Sequence, residues 1–197
     1  MIYYIAGYLL KAIMSIFGGP IRIMHKRRIL SDEGHIIACT HTGWVDILWL
    51  GIAVLPTKIH FMAKKELFES AFVRWLMKAL NAFPVDRDNP GPSSIKTPVK
   101  LIKDKQVVGI FPSGTRTSED VPLKRGAVTI ANYAKAPIVP AAYVGPNNFK
   151  EFFQFKRPRI IFGEPIYLRK DVPKREALEI MAKELDEALR ELYDWIK

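Results

Sequence analysis

HIIACTHTGWVD, residues 35–46, joins a short apolar run to a longer one through a turn that contains a glycine. The first run, His35 to Thr40, has the length and the β-compatible composition of a buried strand. The second run, Asp46 to Leu55, is long enough for a helix and ends before Pro56. The stretch therefore predicts a strand, a tight loop and a helix, an alternation that is typical of α/β proteins.

The same alternation continues to the end of the chain. Further strands are predicted at residues 58–63, 82–86, 107–111, 138–144 and 159–162, and further helices at residues 66–80, 95–103, 126–135 and 174–197. A chain of 197 residues fits one domain with a full core. We predict a single α/β domain with a largely parallel or mixed central sheet flanked by helices, and ligands at the carboxyl ends of its strands.

The amino-terminal region is apolar from Ile2 to Met24, with Lys11 and Arg22 as its only charges. A helix over residues 1–17 would be about 25 Å long, which is short of the roughly 30 Å hydrocarbon core of a bilayer. A helix that lies in the membrane interface is therefore favoured over one that spans it. The basic cluster at residues 25–28 follows directly and is predicted to contact anionic headgroups. The alternative is a core helix followed by a solvated basic turn.

Composition narrows the class of partner. The formal net charge of +10 indicates an anionic partner. The basic residues are scattered and are not interleaved with aromatic residues as in single-strand binders, so we predict no nucleic-acid partner.

Cys39 is the only cysteine, which leaves no intramolecular disulfide and indicates a reducing compartment. The four histidines form no recognisable ligand set, and we predict neither a metal nor a cofactor.

His41 and Asp46 lie five positions apart across the predicted turn. On a regular helix this spacing separates side chains by about 140°, so contact requires His41 in the loop and Asp46 in the first helical turn. Gly43 allows the necessary bend. A carboxylate that accepts from one ring nitrogen leaves the other nitrogen free to take a hydroxyl proton. The pair predicts general-base catalysis, whereas the alternative is a capping aspartate beside an uninvolved histidine.

Cys39 shares a predicted strand face with His41, so a thiol nucleophile is a second chemical hypothesis. Its neighbours Ile36, Ile37 and Ala38 are apolar, which favours the opposite interpretation of a small buried side chain. The two hypotheses differ in whether the thiol is accessible.

A second motif, FPSGTR at residues 111–116, ends another apolar strand. Gly114 lets backbone amides approach an anion, Thr115 adds a hydroxyl, and the guanidinium of Arg116 can bind phosphate through two hydrogen bonds. We interpret the motif as a phosphate site, the alternative being an ordinary turn with a solvated arginine. Ser113 is not predicted to be a nucleophile, because the Gly-x-Ser-x-Gly elbow of hydrolases is absent from the sequence.

Together these motifs resemble those of the glycerolipid acyltransferase family, and most closely the 1-acylglycerol-3-phosphate acyltransferases. His41 to Asp46 matches the family's His-x4-Asp box in full. The second block of the family resembles residues 82–87, its Phe-Pro-Glu-Gly-Thr-Arg block resembles residues 111–116, and its fourth block resembles residues 138–140. The matches run in family order, but Ser113 stands where the family usually has glutamate.

The resemblance implies that His41 is the general base and that Asp46 orients it. It also implies a set of contacts to the phosphate of the substrate, at Ser113, Gly114, Thr115, Arg116, Arg87, Lys64 and Lys124. No covalent acyl-enzyme is expected, because a thioester donor is already activated. The change of glutamate to Ser113 is expected to bear on the choice of acceptor.

The reaction implied by the resemblance moves a fatty acyl group from an acyl carrier protein (acyl-ACP) or coenzyme A (acyl-CoA) thioester to the sn-2 hydroxyl of lysophosphatidic acid, giving phosphatidic acid. The expected layout is a membrane-associating segment at residues 1–30 and an acyltransferase domain at residues 31–197, on an anionic surface at the cytoplasmic face of the cell membrane. The alternatives are the same chemistry on another lysophospholipid or on glycerol 3-phosphate, a lipid hydrolase, and a non-catalytic module that binds anionic lipid.

Overall fold

The computed structural model describes residues 2–40, 43, 45–86, 91–113, 120–146, 148–153 and 156–197. Seven strands lie within these residues: β1 (Arg22–Met24), β2 (His35–Thr40), β3 (Ile59–Lys64), β4 (Ala82–Val85), β5 (Val107–Ser113), β6 (Ile138–Val144) and β7 (Arg159–Phe162). They form one sheet in the order β1-β7-β6-β2-β5-β3-β4. Neighbouring strands are parallel except β6 and β7, which are antiparallel. The predicted α/β class with a mixed central sheet is confirmed.

The helices of the described residues alternate with these strands. They are α1 (Ile2–Gly18), α2 (Val45–Val54), α3 (Ala71–Ala79), α4 (Ser93–Lys103), α5 (Asp120–Ala134), α6 (Phe149–Phe152) and α7 (Lys174–Ile196). Short 3-10 turns cover Lys26–Arg28 and Lys65–Phe68. In the part of the chain that the structure describes, no helix combines the length and the apolar character needed to cross a bilayer.

Two helical layers cover the two faces of the sheet. On one face, α1 packs against α2 and α3, and Met14 of α1 joins Trp49 and Leu50 of α2 in the larger core cluster. On the other face, α4, α5 and α7 contribute Ile102, Ala131 and Leu185 to a second cluster. β2 is central in the sheet, and its residues 35–39 are fully buried because both faces are covered.

The structure contains the unpredicted four-residue helix α6, and it differs from the predicted elements most at β1, α3 and α5. β1 was not predicted, because three residues with an exposed Arg22 carry no strand signal without their pairing to β7. The predicted helix over residues 66–80 is divided into a 3-10 turn and α3. α5 begins at Asp120, six residues before the predicted start at Gly126, and an acidic residue with Pro122 suits a first helical turn.

Candidate active site

The ends of β2 and β5 lie side by side at one edge of the sheet. The two strands are parallel, and Thr40 is the register partner of Ser113. Between the pairs Ala38–Ile110 and Thr40–Ser113, β5 has one residue more than β2. A bulge at this point suits Pro112, which has no amide hydrogen for the sheet. The two sequence motifs therefore continue from neighbouring strand ends, one after Thr40 and the other after Ser113.

β3 lies on the other side of β5 and is parallel to it, so its last residue, Lys64, lies at the same edge. The Lys64 Nζ is 3.9 Å from the Oε2 of Glu66, and 48% of the Lys64 side chain is exposed. The neighbouring Lys65 forms a shorter ion pair with Asp86, at 2.5 Å. The structure places Lys64 at the predicted edge, and its role as an anion contact stays a prediction.

Asp46 is completely buried in the first turn of α2. Its Oδ2 accepts a hydrogen bond from the backbone amide of Gly43, at 3.0 Å. The amino terminus of a helix stabilises a carboxylate there, and the Gly43 amide compensates part of the loss of water. This hydrogen bond holds the Gly43 amide at the carboxylate. Asp46 is thus a fixed, buried acceptor at the beginning of the helix that follows β2.

Tyr143 lies near the end of β6, the strand that pairs with β2 on the side opposite β5. Its backbone amide donates to the Thr40 Oγ1 at 3.0 Å, and its hydroxyl donates to the carbonyl of Pro146 at 3.1 Å. Burial raises the pKa of the Tyr143 hydroxyl, and the negative charge of Asp46 raises it further. Thr40 and Tyr143 were not among the predicted site residues. No sequence signal pointed to them, since they meet across two strands that are more than 100 positions apart in the chain.

Cys39 is fully buried in β2. Burial raises the pKa of its thiol well above the ordinary value, and the Asp46 carboxylate adds to this shift. Only the thiolate is a good nucleophile, and both causes disfavour it. The structure therefore supports the interpretation of Cys39 as a buried core residue rather than as a nucleophile.

Five of the predicted site residues lie outside the described residues, namely His41, Arg87, Gly114, Thr115 and Arg116. Two others are described by their backbone alone: Ser113 ends β5, and Lys124 lies in the first half of α5. Asp46 and Lys64 are the two whose side chains are described. Among the described residues, no group of three His, Cys, Asp or Glu side chains could hold a metal ion.

Known proteins resemble this chain both in sequence and in fold. A 1-acyl-sn-glycerol-3-phosphate acyltransferase of Bacillus subtilis (strain 168) is 54% identical over 93% of this chain and 92% of its own length. A protein of the same name from Streptococcus pneumoniae is 38% identical over 82% of this chain and 61% of its own length. The crystal structure of the 1-acyl-sn-glycerophosphate acyltransferase PlsC from Thermotoga maritima has a TM-score of 0.67. It is 18% identical and covers 96% of this chain and 79% of its own, and so supports the fold alone.

The sequence model of the family described as Acyltransferase matches residues 20–144, which hold every motif quoted for the resemblance. The matched segment begins before β1 and ends with β6, so it contains the strand ends at which Thr40 and Ser113 meet. The resemblance predicted from the motifs is confirmed. The length of this match and the identity to the Bacillus relative show that the chain belongs to the acyltransferase family.

Proposed function

We propose that this chain is a 1-acylglycerol-3-phosphate acyltransferase, which transfers a fatty acyl group from a thioester to the sn-2 hydroxyl of lysophosphatidic acid. The names of its relatives support this activity. The structural observation that carries it is the register pairing of Thr40 with Ser113, because the base motif begins directly after Thr40 and residues 114–116 of the phosphate motif follow directly after Ser113. An acceptor that has both a hydroxyl and a phosphate fits two such motifs.

In the proposed mechanism His41 is the general base and Asp46 orients its ring. The imidazole takes the proton of the acceptor hydroxyl as the oxygen attacks the thioester carbonyl. The new C–O bond forms, the C–S bond breaks, and the proton passes from His41 to the leaving thiolate. The buried carboxylate of Asp46 supports this role, since it is held before the attack and stabilises the imidazolium that forms.

The phosphate of the acceptor is proposed to bind Arg116 with Thr115, Gly114 and the Ser113 position. Lys64 is proposed as a further contact. It lies at the end of β3, which pairs in parallel with β5, and this position supports the proposal. Arg87 follows β4, the next strand of the sheet, and Lys124 lies in the helix that follows the phosphate motif. Holding the phosphate and the hydroxyl together makes the attack effectively unimolecular, which can lower the barrier by several kcal/mol.

An acceptor panel tests this function. With one acyl donor, we expect lysophosphatidic acid to give phosphatidic acid, and lysophosphatidylcholine and glycerol 3-phosphate to react at least about tenfold less well. Ser113→Glu restores the usual family residue and should change the ranking of acceptors more than it changes the rate with the preferred one. Release of free fatty acid without any acceptor would instead indicate a hydrolase. Vesicle binding without turnover would indicate a lipid-binding module.

The proposed membrane contact is the outer face of α1. Ile5, Leu9, Ile13 and Ile16 recur at helical spacing, and each is exposed by 45–67%. The opposite face of α1 packs against the rest of the domain. On this face Met14 is buried, and a Cβ on Gly7 would lie 3.2 Å from the Leu55 side chain. An apolar face of this extent on a docked helix suits the headgroup region of a bilayer at the cytoplasmic side.

The basic cluster at residues 25–28 supports this contact less than the sequence suggested. Lys26 donates to the carbonyl of Leu55, and Arg28 donates to the carbonyl of Phe162 at 2.9 Å. Arg28 is also 2.6 Å from Glu164. These two cations connect β1 to the rest of the domain, so the proposed binding of residues 1–30 to the membrane depends on the apolar face of α1.

Binding to phosphatidylglycerol vesicles tests the contact. Replacing Ile5, Leu9 and Ile13 together by serine should lower co-sedimentation at least about tenfold, because about 1.5–3 kcal/mol is lost for each large apolar side chain that enters the interface. Trp195→Ser, at an exposed aromatic on the opposite layer, is the matched control and should leave binding unchanged. Equal losses in both variants would contradict an α1 contact.

A further inference from the structure

Three lysines form a stripe along the outer face of α4. Lys96, Lys100 and Lys103 are all exposed and follow at steps of four and three residues, so they lie on one side of the helix over about 10 Å. The buried residues of α4, which are Ser94, Pro98 and Ile102, lie on the opposite side. We call these three residues the α4 lysine stripe.

The stability of the helix explains only part of the α4 lysine stripe. The helix dipole favours Lys100 and Lys103, which are in the last turn. It opposes a cation at Lys96, near the amino terminus, and the like charges of Lys96 and Lys100 repel each other. Among the described residues, none of the three ammonium groups has an acidic partner; Asp104 follows beyond the carboxyl end. In α7, by contrast, Arg175, Lys183 and Arg190 each pair with an acidic residue four positions away. The positive charge on α4 is therefore available to a partner.

The position of α4 favours a soluble partner over the membrane. α4 belongs to the layer on the opposite face of the sheet from α1. With the apolar face of α1 in the membrane, the α4 lysine stripe points away from the lipid headgroups. The helix also begins in the segment after β4, which ends at the same edge of the sheet as β3, so Lys96 lies toward the edge of the proposed active site.

We propose that the α4 lysine stripe is the docking surface for a small acidic carrier protein that delivers the acyl thioester. This inference rests on the proposed function, because that reaction requires a thioester donor. A flat row of three cations is complementary to an acidic helix of such a protein, whereas a small nucleotide thioester would need a concave site. The carrier holds the acyl group on a flexible arm. When the carrier is docked on α4, this arm extends to the edge of the sheet where β2 and β5 end.

The test compares two donors with the same acyl chain, acyl-ACP and acyl-CoA, and lysophosphatidic acid as the acceptor. The variant is Lys96→Gln/Lys100→Gln/Lys103→Gln, and the matched control is Lys170→Gln/Lys174→Gln/Lys183→Gln, which removes the same charge from exposed sites. We expect the variant to lose at least about tenfold in kcat/KM with acyl-ACP, chiefly through KM, and less than about twofold with acyl-CoA. The control should change by less than about twofold with either donor.

Three outcomes would overturn the docking surface. They are equal kcat/KM of variant and wild type with acyl-ACP, an equal loss with both donors, and use of acyl-CoA alone. A parallel loss of binding to anionic vesicles would overturn it in favour of a lipid contact. Absence of transfer from both donors in the wild type would refute the proposed function itself, and this is a different result from a wild type that works and a variant that is unaffected.

Discussion

Gly34 and Ile102 touch where β2, the strand that leads to the candidate active site, begins. A Cβ on Gly34 would lie 1.9 Å from the carbonyl oxygen of Ile102, which is in the last turn of α4. No side chain fits at this separation, so the end of α4 and the start of β2 can approach only with glycine at position 34. The relation connects the layer of α4 directly to the strand that precedes His41.

Gly34→Ala should therefore destabilise the protein. Because the obstacle is backbone rather than a flexible side chain, we expect a loss of about 2 kcal/mol or more in the free energy of unfolding. Gly126→Ala is the matched control, since a Cβ there meets nothing within 4 Å and the position is inside α5. Alanine at 126 should stabilise by about 0.5–1 kcal/mol. Urea denaturation measures both, and similar values would contradict the close approach at Gly34.

Asp46→Asn should abolish most of the activity without unfolding the protein. The amide oxygen of asparagine can still accept from Gly43, but it lacks the charge that would stabilise an imidazolium at His41. We expect kcat to fall by about a hundredfold or more, and His41→Ala to do the same. The double variant should be no worse than either single one, because residues that act as a unit are not additive. Asp32→Asn, at an exposed loop residue, is the control.

Cys39→Ala should retain turnover within about twofold, because the buried thiol has a raised pKa and no part in the proposed mechanism. The cost should appear in stability instead, at about 1 kcal/mol for a small cavity in the core. Thiol reagents should modify Cys39 only after unfolding. Loss of turnover in a folded Cys39→Ala protein would instead support Cys39 as the nucleophile of a covalent acyl-enzyme.

His35 should make the protein less stable in acid. Burial lowers the pKa of His35, whose Nδ1 lies 3.0 Å from the carbonyl of Glu33, while its Nε2 has no partner among the described residues. Because the folded pKa is below the unfolded value of about 6.5, the unfolded chain binds a proton that the folded chain does not. Stability is therefore fully present above about pH 6.5 and falls as the pH drops through that value towards the folded pKa.

Urea denaturation from about pH 7.5 to about pH 5 measures this effect. This range lies on both sides of the ordinary histidine pKa of about 6.5. His35→Gln should be less stable at neutral pH but should show a weaker loss on acidification. His25→Gln, at an exposed histidine, is the control for the removal of one imidazole. An unchanged pH dependence in His35→Gln would assign the acid sensitivity to other groups, among them His60, whose pKa is also lowered by burial.

Local sequence determined most of the secondary structure of this protein, and its motifs determined the family. β2, β6 and β7 have the predicted bounds, because an apolar run bounded by charged, glycine or proline residues defines a buried strand locally. The family follows from the type and order of residues such as His41 and Asp46, which no packing alters. The catalytic role of His41 and the phosphate contacts at residues 113–116 stay predictions.

Only the tertiary structure decided which segments meet. The three-residue strand β1 exists through its pairing with β7, and Tyr143 reaches Thr40 because β6 and β2 are neighbours, contacts that no local pattern encodes. The same holds for Lys26 and Arg28. The sequence predicted that they contact lipid headgroups, whereas in the structure they donate hydrogen bonds to backbone carbonyls. Hydrophobic periodicity acts over a few residues, whereas strand order and hydrogen-bond partners depend on how distant segments pack.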